Sequence, residues 1–570
     1  MKLSRDQQRI WIIAGLLVAG FGALGYRLVE LQWVQAHELR AEVAKIHGQV
    51  LHRQGRRGAI VDARGNLLAN SQSVHVVVAD PQFTRPVAAQ LARELAPLLQ
   101  MSEAELVERL SRSNRYVRLK QRVDWETAQA IRALRARGIF FEDQYQRAYP
   151  NGSLACHVLG FVDAQHRGVQ GIEATMDTYL NGRAGYEIIE RDRKGRELRA
   201  WRHEALGPRD GLTVRLTLDQ VVQHVVETEL DRAIEKHRPL AGMVIVSRPR
   251  TGEILAMASR PHFDPNQPGA VPADARRNRC ISDVAEPGST FKVAIIAAAL
   301  NDGIVSLVDR VDCENGAFIY AGRALHDAHP HGVLTVEEVL YRSSNIGTAK
   351  VALRMGPNRL YEYIRAFGFG QRTGIELVGE VAGIVHPLSR WTKLSITRIP
   401  MGHEVAATPL QMMMAFNAVV NGGRLMRPRV VQSVEDGAGQ RVVQFAPQMV
   451  RQVITPRASV LTVSALRKVV TDQGTAPRAA VAGYDVAGKT GTAQKIENGQ
   501  YVRRYYSTFV GCLPASDPEV AILVTLDDPS VGGYYGGTVA GPVFRAVAEK
   551  IAPYLGVPSS TQQLDRGGWS

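Results

Sequence analysis

Residues Glu286-Pro287-Gly288-Ser289-Thr290-Phe291-Lys292 run directly into Val293-Ala294-Ile295-Ile296-Ala297-Ala298-Ala299-Leu300. Pro-Gly marks a turn, and the apolar, Ala-rich run after it predicts a buried helix beginning near Ser289. Ser289 and Lys292 then stand one turn apart on one helix face. A serine hydroxyl attacks poorly until a neighbour takes its proton. A lysine amine takes it only when its pKa falls, and the apolar flanks Phe291 and Val293 lower it by desolvating the ammonium. The helix start adds free backbone N–H groups and positive dipole, both suited to an oxyanion. Nucleophile, base and part of an oxyanion hole fit in four residues. Taken alone, the same spacing also describes a capping serine with a solvated lysine.

Two later stretches favour the chemical reading. Ser343-Ser344-Asn345 falls between helical patterns at 336–340 and 346–355, in a loop where short polar side chains face a cleft. There Ser343 suits passing a proton between Lys292 and a leaving amine, and Asn345 suits holding a substrate amide. Lys489-Thr490-Gly491-Thr492 lies within a strand pattern, and glycine inside a strand marks close backbone approach. An extended peptide can add to such an edge. Thr490 and Thr492 suit a terminal carboxylate, Lys489 supplies positive field, and the N–H groups of Ser289 and Thr492 suit an oxyanion hole.

The chain has 570 residues, which implies at least two domains. Its net charge of +14 favours anionic partners: nucleic acid, lipid headgroups or an acidic wall polymer. Aromatics are only 6% and no basic run interleaves with them, which argues against nucleic acid. Residues 10–26 carry no charge and follow Lys2, Arg5 and Arg9; the apolar stripe continues through Leu28, Val29, Leu31, Trp33 and Val34. We read 10–34 as an uncleaved membrane anchor with residues 1–9 in the cytoplasm, since Ala23-Leu24-Gly25 is a poor cleavage site. Gly15, Ala19 and Gly22 share a face open to another membrane helix. Gly20-Phe21-Gly22-Ala23-Leu24-Gly25 matches a dinucleotide fingerprint but lacks the strand–turn–helix setting that the fingerprint needs.

Residues 51–205 mix short strands and helices, which predicts an irregular α+β pedestal; Arg57, Arg147, Tyr149 and Glu173 read as its internal ion pairs and turns. A turn-rich boundary at 207–211 precedes a second α+β domain, 213–556, with an antiparallel sheet packed between helices. Residues 557–570 read as a flexible tail. His326, Asp327, His329 and His331 crowd together, but Pro330 and the short offsets suit a loop, so neither metal nor cofactor is expected. Cys156, Cys280, Cys313 and Cys512 read as free buried thiols.

In these motifs and their order the chain resembles the class B penicillin-binding proteins, along nearly its whole length. Arg277-Asn278-Arg279, Glu286-Pro287-Gly288-Ser289-Thr290 and Tyr534-Tyr535-Gly536-Gly537 are most similar to the division-specific branch. The resemblance implies a serine β-lactamase-like transpeptidase domain in the extracytoplasmic space, cross-linking peptidoglycan stem peptides and open to β-lactams. It makes Ser289 the nucleophile on the penultimate D-Ala, with Lys292, Ser343, Asn345 and Lys489 as catalytic partners. Thr490, Gly491 and Thr492 would bind substrate, and Tyr505, Tyr534 and Tyr535 would wall the cleft. A SEDS-type glycosyltransferase and other divisome membrane proteins are the implied partners. The chain departs from the family's pedestal motif at Ala63, where a second arginine is usual and Arg64 is adjacent; Phe291 and Val293 replace the frequent Val and Pro. Rival readings are a serine β-lactamase, an elongation-specific transpeptidase, and a non-catalytic β-lactam sensor or divisome scaffold.

The interval between anchor and second domain is taken up by the pedestal, leaving no room for a glycan polymerase. The purified chain should therefore not polymerise lipid II, and glycan strands formed by it alone would refute this reading.

Overall fold

An apolar run with charged residues only at its ends satisfies its backbone internally as a helix, and 5–36 does so. Helix α1 (Arg5–Val29) continues into a π-helical turn, Glu30–Val34. In the computed structural model, which describes residues 5–36, 48–53, 55–190, 205–497 and 499–562, large apolar side chains such as Trp11 and Phe21 point outward along it. Arg9–Val34 is the one helix among the described residues long and apolar enough to cross a membrane. The fingerprint-like glycines lie inside this helix. The chain divides into two compact units, 1–56 with 182–210, and 57–181 with 211–570. Besides α1, the first contains a small antiparallel sheet of Gly48–Arg53, Gly185–Glu190 and Ala205–Leu206.

The second unit starts with a sheet of β1 (Leu67–Ala79), β2 (Val117–Val123) and β3 (Ile139–Ala148), covered by short helices over 88–133. The short strand Ile60–Val61 pairs in parallel with β4 (Thr213–Leu216). β4 pairs in turn with Val431–Glu435, so one sheet runs from the pedestal into the second domain. Residues 57–181 of the expected pedestal thus pack with the second domain, while 182–205 fall in the other unit.

The second domain is built on five antiparallel strands. β5 (Ala241–Ser247), β6 (Ile254–Arg260), β7 (Ala487–Glu497), β8 (Gln500–Leu513) and β9 (Val520–Asp527) lie in the order β6-β5-β9-β8-β7. Every residue of β5 and β9 is buried, because helices cover both faces. α2 (Gln220–His237) packs with α7 (Gly541–Tyr554); α3 (Lys292–Asn301) packs with α6 (Pro409–Val420). Between them come α4 (Val336–Tyr341) and α5 (Asn345–Met355). β7 is an edge strand, so one row of its backbone groups is left for a ligand. The four cysteines are buried and unpaired.

Charge pins the parts together. Glu173, fully buried, takes Arg57 Nε and Arg147 Nε, each at 2.6 Å, and the Tyr149 hydroxyl at 3.2 Å. Asp62 accepts the backbone N–H of Asn66 in its own turn and of Gln220 at the start of α2. Arg64, adjacent to Ala63, has its Nε 2.8 Å from Asp219, and its guanidinium covers the Tyr554 ring. The fold extends past the expected tail boundary, with Val557 buried and the Ser560 N–H donating to Gly483 O; 563–570 lie outside the described residues.

Removing one member of a buried ion-pair network leaves the other charges uncompensated, at about 3–5 kcal/mol. Glu173→Ala should lower unfolding stability by that order in denaturant titrations; wild-type stability would contradict the role assigned to this cluster.

Candidate active site

Ser289 sits on a 3-10 turn, Gly288–Phe291, that leads into α3 at Lys292, so the α-helix proper begins just after the serine. Two glycines let other backbones close on this turn. A Cβ at Gly402 (φ +85°) would lie 2.4 Å from Gly288 N, and one at Gly491 would lie 2.9 Å from Thr290 Cγ2. The Lys489-Thr490-Gly491-Thr492 segment of β7 therefore lies directly against the Ser289 turn.

Lys292 and Lys489 are both fully buried. Lys292 Nζ donates to Ser343 O at 2.6 Å and Asn345 Oδ1 at 2.7 Å, and lies 3.3 Å from Ser343 Oγ. Lys489 Nζ lies 2.9 Å from the same Ser343 Oγ. One serine hydroxyl thus bridges two lysines. Burial pushes the Lys292 ammonium down to about 7, against an opposing pull from the Asp327 carboxylate. Burial, and then the charge of Lys292, push Lys489 well below its usual range. A neutral Lys292 has two N–H bonds, and its two shortest contacts are carbonyl oxygens. Those contacts use both hydrogens and leave its lone pair for a hydroxyl.

Asp327 holds this arrangement in place. Its carboxylate accepts Ser344 Oγ at 2.7 Å, the Asn345 N–H, and the Ile346 N–H at 3.0 Å, capping α5. The one member of the histidine-rich stretch with a carboxylate is thereby committed to a helix cap. Ser343, just before the cap, takes φ +63°, a conformation rare for serine that turns its hydroxyl between the lysines.

Thr490, Thr492, Tyr505, Tyr534 and Tyr535 line one cleft of about 730 Å³ together with Ser289, Ser343 and Asn345. Thr490 Oγ1 is 2.9 Å from Thr475 Oγ1, and Thr492 Oγ1 accepts the Gly536 N–H at 3.1 Å. Tyr505, Tyr534 and Tyr535 stack in sequence, with ring centroids 4.1 and 4.6 Å apart, as the aromatic wall. Gly491 contributes by close packing and is not on the cleft surface. Sequence reasoning missed His403, Gln473 and Thr475, which also line the cleft, and Glu286 and Tyr501 behind them. Glu286 heads the Ser289 stretch but was given no role there; the other four stand in no motif, and only the fold brings them to Ser289.

A profile of the penicillin binding protein transpeptidase domain matches residues 242–549, and one of the penicillin-binding protein dimerisation domain matches 52–216. The probable peptidoglycan D,D-transpeptidase PenA of Neisseria meningitidis is 34% identical over 515 residues, 89% of this chain and 86% of that protein. The peptidoglycan D,D-transpeptidase FtsI of Escherichia coli is 31% identical over 553 residues, 95% of this chain and 90% of that protein. Among solved structures, a peptidoglycan synthetase from Bifidobacterium adolescentis superimposes with a TM-score of 0.73 at 29% identity, covering 90% of this chain and 98% of that one.

Only the neutral form of Lys292 accepts a proton, so Ser289 acylation should rise with pH through about 7 and level off above it. Lys292→Arg should fail at every pH, because guanidinium stays charged. A flat pH profile, or an active arginine variant, would remove Lys292 as the base.

Proposed function

This chain belongs to the class B penicillin-binding proteins, the peptidoglycan D,D-transpeptidases, and we propose that Ser289 carries its acyl group in cross-linking stem peptides at the division septum. The donor peptide lies along edge strand β7, its terminal carboxylate against the Thr490 and Thr492 hydroxyls, with Lys489 held to Ser343 behind them. Ser289 Oγ attacks the penultimate D-Ala carbonyl as its proton passes to Lys292. The N–H groups of Ser289 and Thr492 hold the oxyanion, while Asn345 fixes the peptide amide. Ser343 then delivers the proton to the leaving D-Ala nitrogen, and an amine from a second strand resolves the acyl-enzyme. The observation that carries this reading is the Ser343 hydroxyl, 3.3 Å from one desolvated lysine and 2.9 Å from another. Such a hydroxyl passes a proton without moving heavy atoms.

The septal assignment is supported by the residues around 277–289 and 534–537 and by likeness to FtsI. The helix Arg9–Val34 anchors the chain with its basic end in the cytoplasm and the catalytic body outside. A chain that cross-links without polymerising needs a polymerase beside it, and a SEDS-type glycosyltransferase docked on the Gly15, Ala19 and Gly22 face fits that need.

Penicillin should acylate Ser289 and stay attached. The only carboxylate lining the cleft among the described residues, Asp327, is spent on its cap and is not free to activate water. Fluorescent penicillin followed by peptide mapping should find the label on Ser289 and lose it in Ser289→Ala. A label elsewhere, or rapid turnover of penicillin, would contradict the assignment.

A further inference from the structure

Beside the lysine–serine network lies a second relay, which shares no hydrogen bond with it. His403 lines the same cleft as Ser289, and Gly402 before it rests on Gly288. His403 Nδ1 is 2.9 Å from the Tyr501 hydroxyl, which lies 3.2 and 3.1 Å from the two oxygens of Glu286. Glu286 Oε1 also accepts the Glu404 N–H at 2.9 Å. The Glu286 side chain is only 10% exposed, and among the described residues it pairs with no lysine or arginine. A nearly buried carboxylate aimed through a tyrosine at a cleft histidine has the layout of a base held by an orienting group.

The hydrogen count sets the tautomer. With Glu286 ionised, the single Tyr501 proton must go to the carboxylate, so the Tyr501 oxygen must accept from His403 Nδ1–H. Nε2 is then bare, and among the described residues it has no hydrogen-bond partner. The charged and titratable groups around the ring are Arg398, Lys292, Tyr501, Glu286 and Glu404. Burial first, then Arg398 and Lys292, push His403 down to about 4, so the imidazole is neutral with its lone pair available.

We propose that His403 is a catalytic residue of the second half-reaction, receiving through Nε2 the proton of the acceptor amine as that amine attacks the Ser289 acyl-enzyme. Tyr501 and Glu286 are positioning residues. The inference rests on the transpeptidase reading above and deepens it. The amine nitrogen bonds to the acyl carbon while one N–H proton moves to His403 Nε2, and the carbonyl electrons move to the oxyanion. Water carries that proton from the imidazolium to neutral Lys292. When the oxyanion collapses, the C–Oγ bond breaks and Ser289 Oγ takes the same proton from Lys292, leaving an amide, a free serine and neutral Lys292 and His403. Glu286, through Tyr501, offsets the transient positive charge. So weak a base serves an amine, which is itself nucleophilic, but not water, and this is consistent with a persistent penicillin adduct.

The test uses the full chain, a benzoyl-D-Ala thioester as donor and D-alaninamide as acceptor, with decay of the preformed acyl-enzyme followed with and without amine. In His403→Ala the amine-dependent rate should fall by about 100-fold or more, the scale of general base catalysis, with little change in half-saturating amine. Added imidazole should restore part of it. His403→Gln, which keeps the ring's polarity and approximate size, should show the same loss if the alanine variant folds poorly. Tyr501→Phe should lose less and gain nothing from imidazole. Wild-type aminolysis in both His403 variants, or a loss that imidazole leaves untouched, would overturn the inference. Failure of the wild-type chain to trap the donor at all would instead sink the transpeptidase reading, and this inference with it.

Discussion

The structure depends on a hydroxyl held between two buried amines. Taking an ammonium out of water costs several kcal/mol per ion, and two of them sharing one serine repel each other. The cheaper state sheds a proton, and a neutral lysine is the species that can deprotonate Ser289. The pKa shift is therefore a by-product of packing. Almost every residue of α3 is buried around Lys292, and β7 carries Lys489 into the same dry space. The cost that remains falls on Ser343, whose left-handed backbone is worth about 1–3 kcal/mol of strain. Asp327 holds that strain by capping the helix that follows.

The rest of the chain makes this geometry stiff. A five-stranded sheet covered on both faces leaves one edge open, and that edge holds Thr490 and Thr492, which line the cleft. The sheet through β4 joins the pedestal to the catalytic body, while Asp62, Arg64 and the Glu173 cluster fix the joint with charge. Rigid surroundings matter here because a proton relay works only over short, fixed distances.

Much of the site was legible because its residues occur in short motifs whose local structure carries the chemistry. Apolar flanks announced the desolvation of Lys292, and a glycine inside a strand announced the close approach at Gly491. The helical patterns at 336–340 and 346–355 match α4 and α5 to within a residue at each end, because helical periodicity is a local signal. The pedestal was read only as a mixture, and its join to the catalytic body through β4 was missed, since pairing Ile60 with Val214 depends on contacts far apart in sequence. The same reason hid Asp327 as a cap and the link from His403 through Tyr501 to Glu286. A carboxylate followed by histidines looks like a ligand set until the fold shows which backbone N–H groups it serves.

The central claim is that Lys292 is a neutral amine at working pH. Lysine labelled with 13C at Cε, with Lys292 assigned by its loss in Lys292→Arg, reports that protonation directly by NMR titration. The account predicts a midpoint near 7 for Lys292, well apart from the surface lysines. A midpoint in the ordinary lysine range near 10 would contradict it.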